Sequence, residues 1–224
     1  MTTAEHALES IRDGHIVGLG TGHAATAFIR ALGERVKGGL KVRGVATSKA
    51  SEELARTLGI PLVTLDEVEA IDVDVDGADE VDPHLNLIKG RGGALVREKV
   101  VAAASREFLV VVDGADDKLV ETLGARGVLP VEVVPFALGF CRRALEQMGC
   151  HPTVRTRDGA PYATDNGNAI LDCHIAAIPD PEGLERALRA IPGVVGTGLF
   201  LGMAHAILIQ EGDAVRVLRR PPTL

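Results

Sequence analysis

Residues 15–22 read His-Ile-Val-Gly-Leu-Gly-Thr-Gly, a short apolar run that enters a glycine-rich turn. The run predicts a buried strand, and the glycines predict a tight turn after it. Residues 24–36 then predict a helix with one apolar side, formed by Phe28, Ile29, Leu32 and Val36. Strand and helix patterns go on alternating as far as Val112. This alternation is typical of an α/β fold, in which helices cover both faces of a parallel sheet.

The other elements of this region follow from the same patterns. Helices are predicted at 3–11, 48–58 and 93–105. Strands are predicted at 41–46, 61–64, 71–76, 85–88 and 108–112. In the 71–76 strand, Asp72, Asp74 and Asp76 alternate with apolar residues. That alternation indicates either a strand at the margin of the sheet or one whose acids reach a site, and both readings stay open here.

The pattern changes from about Leu129 onward. Strands are predicted at 131–134, around Thr153 and at 169–178, with helices at 136–148 and 184–191. This order predicts a separate α+β unit that the chain leaves at 193–198. The following strands, 199–200, 206–210 and 214–218, are predicted to return to the first sheet.

Composition limits the classes of function. The 224 residues are 46% hydrophobic and 25% charged, as in an average globular domain. A net charge of −7 argues against general nucleic-acid binding. One Tyr, five Phe and no Trp argue against a base-stacking surface, so a small substrate is favoured. Residues 1–14 lack the apolar run of a signal peptide or membrane span, and a cytoplasmic protein is therefore expected.

Two cysteine–histidine pairs suggest a metal site, but their spacing argues against one. Cys150-His151 and Cys173-His174 each place a thiol beside an imidazole. Neighbouring residues of a strand point to opposite faces, so each pair supplies at most one ligand to a site. No metal is predicted, and the three cysteines are expected to be reduced.

The turn Gly18-Leu-Gly-Thr-Gly22 is a candidate anion site. It joins a strand to a helix, where glycines expose backbone N–H groups at the positive helix end, and phosphate is the natural ligand. It does not fit a dinucleotide fingerprint, since His23 stands where the third glycine belongs and Lys41 stands near the position of the ribose-binding acid. The alternative is a tight turn without a ligand.

A second candidate site begins with the acidic stretch Asp76-Gly-Ala-Asp-Glu-Val-Asp82 at a predicted strand end. Lys89-Gly-Arg-Gly-Gly93 then supplies a cation and a flexible backbone, and the helix after it carries Glu98. Glu98 shares a side of that helix with Leu95 and Ala102, so partial burial is expected to raise its pKa and make it a base. The alternative is a surface acid that pairs with a neighbouring basic residue.

Taken in order, these motifs resemble the A type of ribose-5-phosphate isomerase. The matching words cover nearly the whole chain: Gly18-x-Gly-Thr-Gly22, Thr47-Ser48, Asp76-Gly-Ala-Asp-Glu80, Lys89-Gly-x-Gly92, Arg97-Glu-Lys99, Lys118, Leu129-Pro-Val-Glu-Val133, Asp165-Asn-Gly-Asn168, Pro192-Gly-Val-Val195 and Gly198-Leu-Phe200. The resemblance implies a Rossmann-like main domain, residues 1–127 and 198–224, and an inserted α+β domain, residues 128–197. It also implies a homodimer or homotetramer without cofactor.

The resemblance further implies an aldose-ketose isomerase of the pentose phosphate pathway, which interconverts ribose 5-phosphate and ribulose 5-phosphate through an ene-diolate. Glu98 would move the proton between C2 and C1. Lys89 and the backbone of Gly90, Arg91 and Gly92 would stabilise the oxyanion. Asp76 and Asp79, with Gly77 and Ala78 between them, would hold hydroxyls and help to open the sugar ring. The phosphate end would meet Thr21, Gly22, His23, Ala24 and Lys118.

The sequence departs from the family pattern at three points. His23-Ala24 replaces Ser-Thr, Arg91 replaces a glycine, and no lysine precedes Lys37 in the first helix. His23 and Arg91 are candidates to replace the missing phosphate contacts, and a changed substrate or a weaker phosphate affinity are the alternatives. Two other functions stay open: a sugar-phosphate sensor without turnover, and an acyl or CoA transferase with a glutamate nucleophile.

Overall fold

The computed structural model describes residues 1–112 and 118–220, and the chain forms two compact units. The first unit contains Met1–Ala78, Arg97–Lys118 and Gly202–Leu224, and the second contains Asp79–Val96 and Leu119–Leu201. The helices are α1 Thr3–Leu8, α2 His23–Lys37, α3 Lys49–Thr57, α4 Leu95–Ala103, α5 Leu138–Gln147 and α6 Pro181–Arg189. The strands are β1 Ile16–Leu19, β2 Arg43–Ala46, β3 Ile71–Gly77, β4 Glu80–Val81, β5 Leu87–Ile88, β6 Ser105–Val112, β7 Val128–Val133, β8 His151–Val154, β9 Thr156–Arg157, β10 Ala160–Pro161, β11 Ala169–His174, β12 Val194–Thr197, β13 Leu199–Phe200, β14 Ala206–Glu211 and β15 Ala214–Arg219.

The first unit is built on a six-stranded sheet in the order β15-β14-β6-β3-β1-β2. Five neighbouring strands pair in parallel, and only β15 runs antiparallel, at the edge beside β14. The apolar strand residues fill both faces of this sheet, as parallel strands buried on two sides require. The arrangement confirms the predicted α/β, Rossmann-like class.

Two cores lie on opposite faces of this sheet. On one face the buried side of α2, which carries Phe28, Ile29 and Leu32, packs with strand residues such as Val73 and Val75. On the other face Val101 of α4 packs with apolar residues of β1 and β2, Ile16 and Val45. Each fully buried side chain of this size contributes about 1.5–3 kcal/mol through removal of apolar surface from water.

The strand that carries the alternating aspartates is central. β3 lies between β6 and β1, so a position at the sheet margin is wrong, and its acids reach buried positions instead. Asp72 accepts hydrogen bonds from the Ile16 amide at 2.8 Å and from Arg106 at 3.0 Å. The predicted strand at 61–64 is also corrected, because among its described residues only Leu62 forms a bridge, to Gly44.

The second unit holds a four-stranded sheet in the order β12-β7-β11-β8, which is antiparallel throughout. Helices α5 and α6 contribute to the core on one of its faces, with Leu145 and Leu188 packed among Val131, Val133 and Leu171. Two smaller sheets complete this unit, β13-β5-β4 and β10-β9. The predicted change to an α+β pattern near residue 129 matches this unit.

Two predictions about how the chain goes back from the second unit to the first sheet are wrong. The expected exit at 193–198 contains β12, whose Thr197 pairs with Val131. Residues 199–200 form β13, which pairs with β5 and not with the first sheet, because the backbone groups of β5 need partners inside the second unit. Only β14 and β15 enter the six-stranded sheet. The domain boundaries at 128 and 197 stay predictions, because a compact unit of the folded chain need not coincide with a segment that folds independently.

The cysteine and histidine pairs behave as strand geometry predicts. Cys150 and Cys173 are buried in the core of the second unit, while His151 and His174 are exposed. Across residues 1–112 and 118–220, no group of three or more His, Cys, Asp or Glu side chains is arranged to hold a metal ion. Within the same ranges, no helix has the length and apolar character needed to cross a membrane.

Candidate active site

The predicted anion-binding turn lies at the carboxyl end of β1. Gly22 has a φ of 107° and stands at the N-cap of α2, where it supplies no side-chain hydrogen bond. The first turn of α2 contains no acid, so no carboxylate of that turn competes with an anion for its backbone N–H groups. His23 is exposed at this helix start, Ala24 is buried beneath it, and Thr21 is partly buried.

Two glycines of β1 and the turn make room for buried carboxylates of β3. A Cβ at Gly18 would stand 2.8 Å from Asp74 Cγ and 2.8 Å from Val101 Cγ1. A Cβ at Gly20 would stand 2.5 Å from the Val75 carbonyl oxygen and would also overlap the Asp76 carboxylate. Asp74 and Asp76 are both fully buried. The glycines of this motif therefore have two structural roles: they form the turn, and they leave space for the carboxylates of the neighbouring strand.

Asp76 is held by backbone donors. Its Oδ1 accepts hydrogen bonds from the N–H of Thr21 at 2.9 Å and of Gly77 at 2.7 Å. Gly77 ends β3, and Ala78 after it is buried. The structure thus brings together three predicted site residues, Thr21, Asp76 and Gly77, at the carboxyl ends of two adjacent parallel strands, where α/β sheets bind ligands.

A cluster of hydroxyl groups beside the turn was missing from the predicted site. Thr21 Oγ1 lies 2.7 Å from Thr47 Oγ1, 2.8 Å from Ser48 Oγ and 3.3 Å from Ser51 Oγ. Ser51 Oγ also donates to the Gly20 carbonyl at 2.5 Å, and Ser48 Oγ caps α3 by accepting from the Ser51 amide. The sequence offered one indication of this cluster, the dipeptide Thr47-Ser48, but taken by itself this dipeptide predicts only a helix cap.

Glu98 lies on α4 and is 3% exposed. Val101 lies one turn later on the same face of α4, and its side chain packs against Gly18, which also lies beside Asp74. Because α4 precedes the start of β6, it runs antiparallel to the strands, and Glu98 stands nearer than Val101 to their carboxyl ends. The burial agrees with the expectation of a partly desolvated carboxylate and argues against a surface acid.

Lys118 follows β6 and is partly buried in a turn. Sheets of this class bind ligands beyond the carboxyl ends of their strands, so its place in the chain agrees with the predicted phosphate contact, which stays a prediction.

In the second unit, the predicted oxyanion loop is Lys89–Gly93, hereafter the glycine loop. Asp79 Oδ2 accepts a hydrogen bond from the Arg91 amide at 3.0 Å, which brings two predicted residues together. Lys89 is 2% exposed, and its Nζ lies 5.5 Å from the centroid of the Phe200 ring. An aromatic face at that distance stabilises a desolvated ammonium group.

Backbone contacts hold the glycine loop in one conformation. The Lys89 amide donates to the Gly198 carbonyl at 2.9 Å, and the Gly93 amide donates to the Gly90 carbonyl at 3.0 Å. Gly90 has a φ of 108°, and a Cβ there would stand 2.8 Å from Leu95 Cβ. Gly93 has a φ of 87°, and a Cβ there would meet the Tyr162 ring at 2.6 Å. Side chains other than hydrogen would not fit at either position.

The amides of the glycine loop divide into two groups. Those of Lys89, Arg91 and Gly93 donate to Gly198, Asp79 and Gly90. Within the described part of the chain, the amides of Gly90 and Gly92 donate no hydrogen bond to protein acceptors. Arg91 and Gly92 are exposed, while Lys89 and Gly90 are buried. Two backbone donors beside a buried lysine form a set that can receive a developing negative oxygen.

Two acids of the predicted cluster have a structural role. Glu80 is 1% exposed, and its carboxylate accepts hydrogen bonds from the amides of Gly124 at 2.7 Å and Arg126 at 2.9 Å. Asp82 likewise accepts from the amides of His84 and Asn86, both at 2.8 Å. Both carboxylates therefore bind backbone amides, Glu80 those of a turn far along the chain and Asp82 those of its own turn.

Comparison with known proteins gives one consistent family. The family model described as ribose 5-phosphate isomerase A (phosphoriboisomerase A) matches residues 43–214. The ribose-5-phosphate isomerase A of Bradyrhizobium diazoefficiens is 51% identical over 97% of this chain and 93% of that protein. The one from Thermomicrobium roseum is 49% identical over 99% of this chain and 93% of that protein.

Solved structures agree with the sequence relatives. The ribose 5-phosphate isomerase A of Methanocaldococcus jannaschii superposes with a TM-score of 0.92 at 42% identity, covering 97% of this chain and 96% of that one. A D-ribose-5-phosphate isomerase solved in complex with phospho-erythronic acid gives a TM-score of 0.93 at 41% identity, with the same two coverages.

Proposed function

Because the chain belongs to the ribose 5-phosphate isomerase A family, we propose that it interconverts ribose 5-phosphate and ribulose 5-phosphate through an ene-diolate. This is an aldose-ketose isomerisation that requires one base, one group that stabilises negative charge on oxygen, and a site for the phosphate. We further propose that the enzyme serves the pentose phosphate pathway in the cytoplasm.

Glu98 is the base of the proposed reaction. It removes the proton from C2 of the aldose and returns it to C1, while the hydroxyl proton passes from the oxygen on C2 to the oxygen on C1, and both transfers reverse in the opposite direction. The observation that carries this assignment is the burial of Glu98 at 3% exposure on the helix that faces the buried carboxylates of β3. A carboxylate removed from water holds a proton more readily, as a general base for a carbon acid needs.

Lys89 and the amides of Gly90 and Gly92 stabilise the oxygen that gains charge as the ene-diolate forms. The support is the buried ammonium group over Phe200 and the two loop amides that have no acceptor among the described residues. Preorganised donors of this kind stabilise the transition state more than the substrate, because the charge develops only during the reaction. Asp76 and Asp79 bind the sugar hydroxyls and assist ring opening, with Gly77 and Ala78 between them.

The phosphate binds at the start of α2 and to Lys118. Thr21, Gly22, His23 and Ala24 supply the helix N-terminus, and the neighbouring hydroxyl cluster holds the turn before it, since Ser51 Oγ donates to the Gly20 carbonyl and Thr47 Oγ1 to the Leu19 carbonyl. Arg91 is exposed on the glycine loop and adds a cation toward the substrate. The chemistry uses only side chains and amides of this chain, so it includes no organic cofactor and no metal ion.

The enzyme is further proposed to be a homodimer or homotetramer. The support is an apolar surface formed by Val134, Phe136 and Phe140, hereafter the Phe136 surface, where Phe136 is 100% exposed and Phe140 is 50% exposed. Large apolar side chains exposed together mark interaction surfaces, and a second copy of the chain is the partner that an isologous dimer requires.

Turnover of ribose 5-phosphate and its loss in Glu98→Gln test the function. We expect purified protein to form ketose from ribose 5-phosphate, and we expect Glu98→Gln to lower kcat by about 10²–10⁴ at nearly unchanged KM. Glu107→Gln, the same change at a solvent-facing acid of β6, serves as the matched control and should keep wild-type kcat. A folded Glu98→Gln enzyme with more than about a tenth of wild-type kcat would move the base to another carboxylate.

A sugar-phosphate sensor on the same fold would bind ribose 5-phosphate and release it unchanged. The turnover measurement separates that alternative from an isomerase. Incorporation of solvent deuterium into the product at a carbon-bound position would additionally support proton transfer through a protein base.

A further inference from the structure

Arg155 connects β8 to β9 and is one of the most constrained basic residues of the second unit. Its side chain is 13% exposed and forms a two-bond ion pair with Asp172 of β11, with Nε to Oδ2 at 2.9 Å and Nη2 to Oδ1 at 2.5 Å. Its backbone amide donates to the Ile170 carbonyl, and its carbonyl accepts from the Tyr162 amide, both at 2.9 Å. Because both the backbone and the planar guanidinium group of Arg155 are held by hydrogen bonds, the guanidinium group has one orientation.

The remaining nitrogen of this guanidinium reaches the glycine loop. Arg155 Nη1 donates to the Gly90 carbonyl at 2.9 Å and to the Arg91 carbonyl at 3.1 Å. One side chain thus binds two successive carbonyl groups of the segment that carries the oxyanion donors. These are charge-assisted hydrogen bonds, which are stronger than those between neutral groups.

The two carbonyl contacts determine where the loop amides point. In a trans peptide the C=O and the following N–H point in opposite directions. The peptide after Gly90 directs its oxygen to Arg155 and its amide, that of Arg91, to Asp79. The peptide after Arg91 also directs its oxygen to Arg155. Its amide, that of Gly92, therefore points away from Arg155 and is left to the substrate.

We propose that Arg155 is a positioning residue for the isomerase reaction, which acts by fixing the Arg91–Gly92 peptide so that the Gly92 amide stays directed at the developing oxyanion. The proposal rests on the role given above to the amides of the glycine loop. Glycines at positions 90, 92 and 93 give this loop wide conformational freedom, and a donor that must first be oriented stabilises a transition state poorly.

Asp172 is the ion-pair partner that lets Arg155 take this position. It balances the charge of a guanidinium that is largely removed from water, which would otherwise be costly to bury. The balanced pair presents hydrogen-bond donors to the loop with little net charge, so it does not compete with Lys89 for the negative oxygen. Arg155 and Asp172 are therefore expected to act as one unit.

Steady-state kinetics with ribose 5-phosphate test the inference. We expect Arg155→Met to lower kcat about ten- to a hundredfold while KM changes less than about threefold, because the amide serves the transition state more than the bound substrate. Asp172→Asn should lower kcat less. The double variant should be no worse than Arg155→Met alone, since two residues that act as one unit are not additive.

Chemical rescue distinguishes positioning from general support of the fold. In Arg155→Ala, guanidinium ion at millimolar concentration should restore part of kcat, and ammonium ion at the same concentration should not. Arg189→Met is the matched control, because Arg189 also donates to a carbonyl of the second unit, that of Val195 at 3.0 Å, but makes no hydrogen bond to the glycine loop within the described part of the chain. It should keep wild-type kcat.

The outcomes are decisive in both directions. A folded Arg155→Met enzyme with wild-type kcat, or one in which only KM rises, would overturn the proposal. If Arg155→Met does not fold, Arg155→Lys decides in the same way, since it keeps the charge but loses the planar guanidinium that binds Asp172 with two nitrogens and the loop carbonyls with the third. A kinetic effect of Glu98→Gln without one of Arg155→Met would remove only the positioning role, whereas an active Glu98→Gln would contradict the proposed function itself.

Discussion

The backbone N–H of Thr21 donates a hydrogen bond of 2.9 Å to Asp76 Oδ1, and through it the glycine turn after β1 is tied to the end of β3. The same oxygen accepts from the Gly77 amide at 2.7 Å. One carboxylate oxygen thus orders backbone segments that are more than fifty residues apart in the chain. The close approach is possible only because residue 20 has no side chain.

Gly20→Ala tests this close approach. The added methyl group would overlap the Asp76 carboxylate and the Val75 carbonyl, so we expect a loss of about 1–3 kcal/mol in the free energy of unfolding and a strong loss of activity. Urea unfolding of the folded variant measures the first effect. Gly139→Ala is the control, since its methyl group would meet only Arg143 Nη1 at 3.6 Å. Equal stabilities of the two variants would contradict the packing argument.

Lys118→Ala tests the phosphate site. Loss of a charge-assisted contact worth about 1.5–3 kcal/mol should raise KM for ribose 5-phosphate about ten- to a hundredfold and leave kcat nearly unchanged. Lys37→Ala, which removes a surface lysine paired with Glu34, should have no effect on KM. An unchanged KM in Lys118→Ala would exclude this lysine from the phosphate site.

A pH dependence of stability is expected from Glu67. Hydrogen bonds from the backbone and the hydroxyl group of Thr64 hold the pKa of Glu67 below its ordinary value of 4.5. A carboxylate whose pKa is lowered on folding stabilises the protein above the unfolded pKa, and this stabilisation is lost as pH falls through the folded value. Wild-type protein should therefore exceed Glu67→Gln in stability near neutral pH and lose that advantage in acid.

The measurement is chemical unfolding of both proteins at several pH values between about 3 and 7. Glu69→Gln is the control: it removes a nearby negative charge but no hydrogen bond to Thr64, so it measures how much of the stability change comes from the loss of charge alone. A stability difference between wild type and Glu67→Gln that stays constant over this range would show that the hydrogen bonds do not favour the ionised form.

Phe136→Ser tests the oligomer. Replacing a fully exposed Phe at the centre of the Phe136 surface should shift the molar mass in light scattering from an oligomer toward the monomer. Leu65→Ser, a similar change at an exposed residue of the first unit, should leave the mass unchanged. A monomeric wild type, or a Phe136→Ser variant with the wild-type mass, would argue against this surface.

The main features of the fold were accessible from the sequence because local patterns determine them. The 3.6-residue apolar period of α2 and the apolar run of β6 identify their elements without knowledge of partners. The pairing of β13 with β5 was not accessible, because two-residue strands carry no period. The central position of β3 was equally hidden, since Asp74 and Asp76 are buried against Gly18 of β1 and Gly20 of the turn after it.

Candidate site residues could be named from the sequence where they are neighbours in the chain, and not where folding brings them together. Lys89 and Glu98 stand in a recognisable segment, and their burial agrees with the roles proposed for them. Ser51 was missed because its hydroxyl reaches the Gly20 carbonyl only after α3 has packed. Arg155 gave no local signal, because its ion pair with Asp172 depends on the register of two antiparallel strands.

The strand order of the first unit also bears on synthesis of the protein. β6 pairs on one side with β3 and on the other with β14, which is translated almost a hundred residues later. Until β14 leaves the ribosome, the nascent sheet presents the free edge of Phe108–Val112, a continuous apolar strand able to pair with other chains. A ribosome that stalls before residue 206 would therefore release an aggregation-prone fragment, which makes this late interval of translation the one in which a chaperone is most needed.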